Sequence, residues 1–158
     1  MRTSYYGRMN SKAYKKFADK GVCISRTSKY WNGPSYPALF PTWDMIKCED
    51  EKEYERMYRE QILDKLDPMD VWLDLGEDAI LLCYESQAKI ESGETFCHRH
   101  MVARWLEEGL KEYGIDVEIK ELGPEDLEKV DYKGMAKKAV KKSKSKKSKD
   151  IPGQMSLF

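Results

Sequence analysis

Ala79-Ile80-Leu81-Leu82-Cys83-Tyr84 is an unbroken apolar run. A strand with one wet face alternates polar and apolar residues. A run that does not alternate must be covered on both faces, as central strands of parallel sheets are. This requirement limits the chain to layered architectures in which helices supply the cover. The segments around the run fit. Thr3-Ser4-Tyr5-Tyr6, ending at Gly7, and Val22-Cys23-Ile24-Ser25, opened by Gly21, read as strands, and Asp116-Val117-Glu118-Ile119 reads as the last one. Between them lie helical patterns. Asn10 or Ser11 caps a helix carrying Tyr14, Phe17 and Ala18. Tyr54, Met57, Tyr58, Ile62 and Leu66 form one apolar face over Glu51 to Leu66. Pro68 opens a short helix to Leu75 that stops at Gly76. Cys97 opens a helix to Tyr113, with Met101, Val102, Trp105, Leu106 and Leu110 turned inward.

Strand and helix alternate, which predicts an α/β fold with a mostly parallel sheet and helices on both faces, a Rossmann-like three-layer arrangement. Its 158 residues suffice for one domain with a real core and a tail. Residues 29–48 interrupt the alternation. Gly33, Pro34, Pro37 and Pro41 exclude a long helix there, and Tyr30, Trp31, Tyr36, Phe40 and Trp43 are too many aromatics for a loose linker. An ordered loop packed on the body is expected. Its aromatic residues either cover the sheet or stack on bases.

Charge is divided unevenly. Residues 133–150 hold nine lysines and one aspartate, a segment charge of 9 − 1 = +8, so a net charge of zero leaves about −8 on the other 140 residues. The sequence therefore divides into an α/β domain over 1–132, a disordered lysine-rich linker over 133–150 and a terminal peptide over 151–158. No stretch approaches 18 apolar residues, which excludes a membrane helix. The N-terminus lacks the apolar core of a secretory signal. Four unevenly spaced cysteines do not form a disulfide framework. A cytoplasmic setting follows as the expectation.

In open parallel sheets, ligands bind beyond the carboxyl ends of the strands. That edge gathers Tyr5 to Arg8, Ser25 to Thr27 and Cys83 to Glu85, and the helix opening at Cys97 begins there. Cys97-His98-Arg99-His100 is the densest chemical cluster of the body. A cysteine at a helix start is acidified by the free N–H groups and the dipole. Arg99 can grip a phosphate or carboxylate, and Glu85 can serve as acid or base. Cys97, Arg99, Glu85 and His98 are the candidate catalytic residues, and Ser25, Arg26 and Cys83 the candidate substrate-binding ones. Two other readings stay open. Cys83, Cys97 and His98 or His100 form a possible zinc set, although Cys-x13-Cys-His-x-His is no standard spacing, so no cofactor is expected. The third reading is structural, with Cys83 a small core residue and Arg99 in a salt bridge. Cys23 and Cys48 read as core or loop residues.

Two resemblances add to this reading. Ile24-Ser25-Arg26-Thr27, the Trp31 and Pro34 region, Pro41-Thr42-Trp43-Asp44, Leu81-Leu82-Cys83-Tyr84-Glu85 and Cys97-His98-Arg99 resemble the family called domain of unknown function 488, over most of residues 3 to 121. The resemblance implies an α/β domain with these groups in one pocket. His100 and the loop from Ser86 to Phe96 fall outside it. Gln154-Met155-Ser156-Leu157-Phe158 resembles the pentapeptide with which bacterial polymerases and mismatch-repair proteins bind the sliding clamp, Met155 standing where leucine is usual. It implies a clamp partner, and the lysines then either touch DNA phosphates nearby or serve as a solvated spacer. The expectation is a DNA-maintenance accessory protein. The alternatives are a small-molecule α/β enzyme or regulatory binder whose tail only aids solubility, and a non-enzymatic clamp adaptor.

Overall fold

The computed structural model describes residues 1–26 and 29–128. Thr27, the predicted linker 133–150 and the terminal peptide 151–158 lie outside them. Met1–Gly123 forms one unit and Pro124 opens a second. The described part of the second unit is the short helix Pro124–Leu127, with Glu125 and Asp126 in its first turn.

Among the described residues, four parallel strands form one sheet: β1 (Arg2–Tyr5), β2 (Gly21–Cys23), β3 (Ile80–Cys83) and β4 (Lys120–Glu121), in the order β2-β3-β1-β4. The apolar run is central, as its composition requires. All four β3 residues are buried, with Leu82 beside Ser4 on one flank and Cys23 on the other. Alternation sends Leu81 to one face and Ile80 and Leu82 to the other. The first face packs on α3 (Glu51–Gln61), α4 (Pro68–Leu75) and α6 (His98–Glu112), through Tyr58, Val71, Met101, Val102 and Leu106, and on Leu63 of the 3₁₀ turn that follows α3. The second packs on α1 (Tyr6–Met9) and its neighbours, through Tyr6, Met9, Phe17 and Trp31. The fold is α/β with cover on both faces, as expected.

Three local expectations shift. The helix expected before Gly21 is instead the turn α1 followed by a 3₁₀ run, Lys15–Lys20. Tyr14 and Phe17 stand three residues apart, which is the 3₁₀ repeat, and nothing in the run is buried enough to stabilise an α-helical stripe. The last strand is Lys120–Glu121 rather than residues 116–119; Glu121 is held there by Thr3 and Arg99. The polar loop after β3 contains a short helix, α5 (Gln87–Glu91), capped by Ser86.

The aromatic loop is ordered and covers an edge. Cys23 donates its N–H to the Pro34 carbonyl at 2.9 Å and accepts from Tyr36 N–H at 2.9 Å, so the loop pairs with the outer side of β2. Trp31 lies so close to Gly21 that a β-carbon there would stand 2.5 Å from its ring. The buried Tyr58 hydroxyl ties the loop to α3 by donating to the Leu39 carbonyl at 2.7 Å. Within the loop sits α2 (Trp43–Ile46), capped by Thr42. Gly109 on α6 permits contact with Pro68 of α4, since a β-carbon would lie 2.3 Å from the proline ring.

Candidate functional site

At the carboxyl edge of the sheet a cleft of about 650 Å³ opens, the size of a small-ligand site. Six of the seven candidate residues line it: Ser25, Arg26, Cys83, Glu85, Cys97 and His98. They meet because β2, β3 and α6 end or begin at one edge. Tyr54 and Phe96, stacked edge-to-face at 5.1 Å, add an aromatic wall, and Glu49 and Glu94 add to the rim.

Cys97 is the N-cap of α6, with extended backbone (φ −142°, ψ 137°), and its side chain makes no capping bond. Its thiol therefore stays turned toward Cys83 and His98. The ligand atoms of these three buried residues lie within 4.8 Å of one another. Burial pushes the Cys97 thiol up, but hydrogen bonds from Cys83 and His98 and the charges of His98 and Arg99 outweigh it. They hold the thiol well below its usual value. Burial, the hydrogen bond to Cys97 and the negative charge there drive Cys83 well above its own. The two thiols are thus pushed in opposite directions, as coupled titrating groups sharing one site are.

His98 is fixed from three sides. Its Nε2–H donates to the Ile24 carbonyl at 2.7 Å, Nδ1 faces Cys83 Sγ at 3.5 Å, and Tyr58 packs edge-to-face at 5.5 Å. With Nε2–H committed to the carbonyl, Nδ1 is the atom that faces the sulfurs: as imidazolium it donates to them, and as the neutral ring it offers them a lone pair.

Arg99 is not in the cleft. It is fully buried and its donors are engaged by protein. Nε and one Nη grip Glu121 at 3.2 and 3.1 Å, the other Nη reaches the Glu85 carbonyl at 2.7 Å, and Gln87 accepts at 3.2 Å. The guanidinium joins the ends of β3 and β4 to α6 and acts on the site through its charge. Its placement matches the salt-bridge reading rather than a phosphate grip. Glu121 is the partner that the sequence does not announce: a lone acidic residue 22 positions away carries no local signal.

Arg26 supplies the cleft's cation. Its Nε donates to the Pro41 carbonyl at 2.8 Å, and its guanidinium lies 5.6 Å from the ring centre of the exposed Trp43. Ser25 is buried, its hydroxyl 2.6 Å from that of Tyr6. With Glu49, Glu85 and Glu94 against Arg26, the described residues of the lining carry three carboxylates to one cation. His100 turns away into a neighbouring cleft of about 550 Å³, where Nε2 meets Gln87 at 3.0 Å. Burial and Arg99 hold its ring below the usual histidine value, against the pull of Glu121.

These features define a parallel α/β domain with a thiol–imidazole cluster at the floor of a strand-end cleft. The chain matches no family model, no curated protein and no solved structure. No helix among the described residues is long and apolar enough to cross a membrane.

Proposed function

We propose that this chain is a DNA-maintenance accessory protein of bacterial or phage type. Gln154, Met155, Ser156, Leu157 and Phe158 deliver it to the sliding clamp, and the lysines of 133–150 touch nearby phosphates. The cleft of the body then takes a nucleotide or an exposed base. The observation that carries the reading is the terminal pentapeptide, placed at the end of a cationic segment. Leu157 and Phe158 each contribute roughly 1.5–3 kcal/mol if fully buried in an apolar socket. Gln154 has a donor and an acceptor with which to fix the register. Ser25, Arg26, Cys83, Glu85, Cys97 and His98 line one cleft in which such a ligand would sit.

Within that reading, the lining favours the base over the phosphates. Tyr54 and Phe96 offer ring faces and edges, whereas three carboxylates repel a polyanion. In this reading Cys97, His98 and Glu85, which line the cleft, act on what enters. The test is titration of a labelled peptide spanning residues 150–158 against purified clamp. Micromolar binding, lost on Phe158→Ala, is the expected result; saturation that fails at tens of micromolar rejects the clamp address.

The acidic lining also favours the second reading, a small-molecule α/β enzyme or regulatory binder. The two separate on where DNA affinity resides. Under the first, full-length protein binds DNA with a steep salt dependence and a chain lacking residues 133–158 does not. Under the second, a metabolite binds the shortened chain and the clamp peptide is inert.

A further inference from the structure

We propose that Cys83, Cys97 and His98 bind a zinc-class divalent ion, with the fourth coordination position open to the cleft. Their ligand atoms already lie within 4.8 Å of one another and all three residues are buried. Cys83 Sγ and His98 Nδ1 are 3.5 Å apart. With Zn–S near 2.3 Å and Zn–N near 2.0–2.1 Å, two tetrahedral ligands of these types stand about 3.5 Å apart, so this edge is already at its final length. The donors arrive from the last residue of β3, the cap of α6 and its first helical residue. Because Cys97 is extended and His98 helical, the backbone turns between them, and two adjacent side chains reach the same point.

The outer groups fit as well. A metal-bound histidine nearly always donates its second N–H to a carbonyl or carboxylate, which fixes ring and tautomer. His98 does so to Ile24 at 2.7 Å. The nearest buried cation is Arg99, whose charge is answered at close range by Glu121, so it does not bar an ion. The lining of three carboxylates to one cation favours a cation's entry. Two sulfurs and one imidazole nitrogen select zinc, cobalt or iron over magnesium or calcium. Three protein ligands leave a place for water or a ligand atom, which is how catalytic zinc sites differ from structural ones. Glu85, two residues from Cys83, lines the cleft onto which that place opens. The irregular sequence spacing has a simple cause: the 13 residues between the cysteines form a loop and α5 instead of a knuckle. The inference does not depend on the clamp address, which is tested by a different titration.

The experiment uses the untagged full-length chain. Metal content is measured after purification, the protein is stripped with a chelator, and cobalt(II) is added while absorbance is read. About one ion per chain is expected. Thiolate-to-cobalt charge-transfer bands and strong visible bands of tetrahedral cobalt should appear, lost in Cys83→Ser and His98→Gln and kept in Cys48→Ser. Added imidazole or cyanide should shift the visible bands if the fourth place is open. Wild-type protein that is folded by circular dichroism yet gives no such spectrum overturns the site, whatever the variants do. A spectrum that persists in Cys83→Ser overturns the ligand set, and one that ignores added ligand overturns the open position.

Discussion

The carboxyl edge of the sheet carries sulfur on both faces. On the face covered by α1, Cys23 sits at the end of β2 beside Tyr6 and Ser25. Tyr6 OH donates to Cys23 Sγ at 2.9 Å and shares a hydrogen with Ser25 Oγ at 2.6 Å, and Cys23 S–H reaches the Ser25 carbonyl at 3.2 Å. Burial and the Cys23 bond drive the Tyr6 hydroxyl far above its usual value, so the tyrosine stays neutral. On the face covered by α6, Cys83 and Cys97 meet a helix start, an imidazole and the charge of Arg99, and they line a cleft. Both clusters are buried and both stand at strand ends. What separates them is that Cys23 has neutral partners and does not itself line the cleft, which its neighbour Ser25 does, while Cys83 and Cys97 have cationic partners and line it directly. A cysteine at a strand's carboxyl end is therefore insufficient by itself to make a site.

The comparison can be broken from either side. Arg99→Met should have the largest effect, a loss of about 3–5 kcal/mol in urea unfolding, because it strands Glu121 and the Glu85 carbonyl. A loss under about 1 kcal/mol would mean that this guanidinium does not tie the edge together. Tyr6→Phe on the opposite face should cost about 1–2 kcal/mol by leaving Ser25 and Cys23 without their shared hydroxyl. It should leave the reactivity of Cys97 unchanged. A changed Cys97 rate would show that the two clusters are coupled through the sheet. The smallest effect belongs to His100. Its folded value is depressed, so the unfolded chain takes up the proton first as pH falls. Stability should then decline from about pH 6.5 downward through the lower folded value. His100→Gln should flatten that decline, read as urea midpoints at pH 7 and pH 5.

Much of this architecture is written locally. The run at 79–84 demands cover on two faces, and Leu81 against Ile80 and Leu82 shows how it is met. The gathering of Ser25, Arg26, Cys83, Glu85, Cys97 and His98 follows from strand order and chain direction alone. What escapes the sequence is set at long range. Glu121 carries no signal that it will meet Arg99, so the partner of that guanidinium and the position of β4 were illegible, although a salt bridge was among the readings of Arg99. The 3₁₀ run before Gly21 escapes for another reason. Two aromatics three residues apart suit either helix type, and only the lack of burial decides. Tyr54 and Phe96, read as part of a helix face and a polar loop, become a wall of the cleft only once α3 and the loop before α6 are brought together.

Site-resolved alkylation of the chelator-treated full-length chain, followed by mass mapping across pH, tests the contrast between the two faces most directly. Cys97 should react with a midpoint well below the ordinary thiol range, ahead of Cys83 and with Cys23 silent until unfolding. If Cys97 reacts no sooner than Cys23, or only as pH enters the ordinary thiol range, then the start of α6 holds no ionised thiol and the cleft loses its chemical centre.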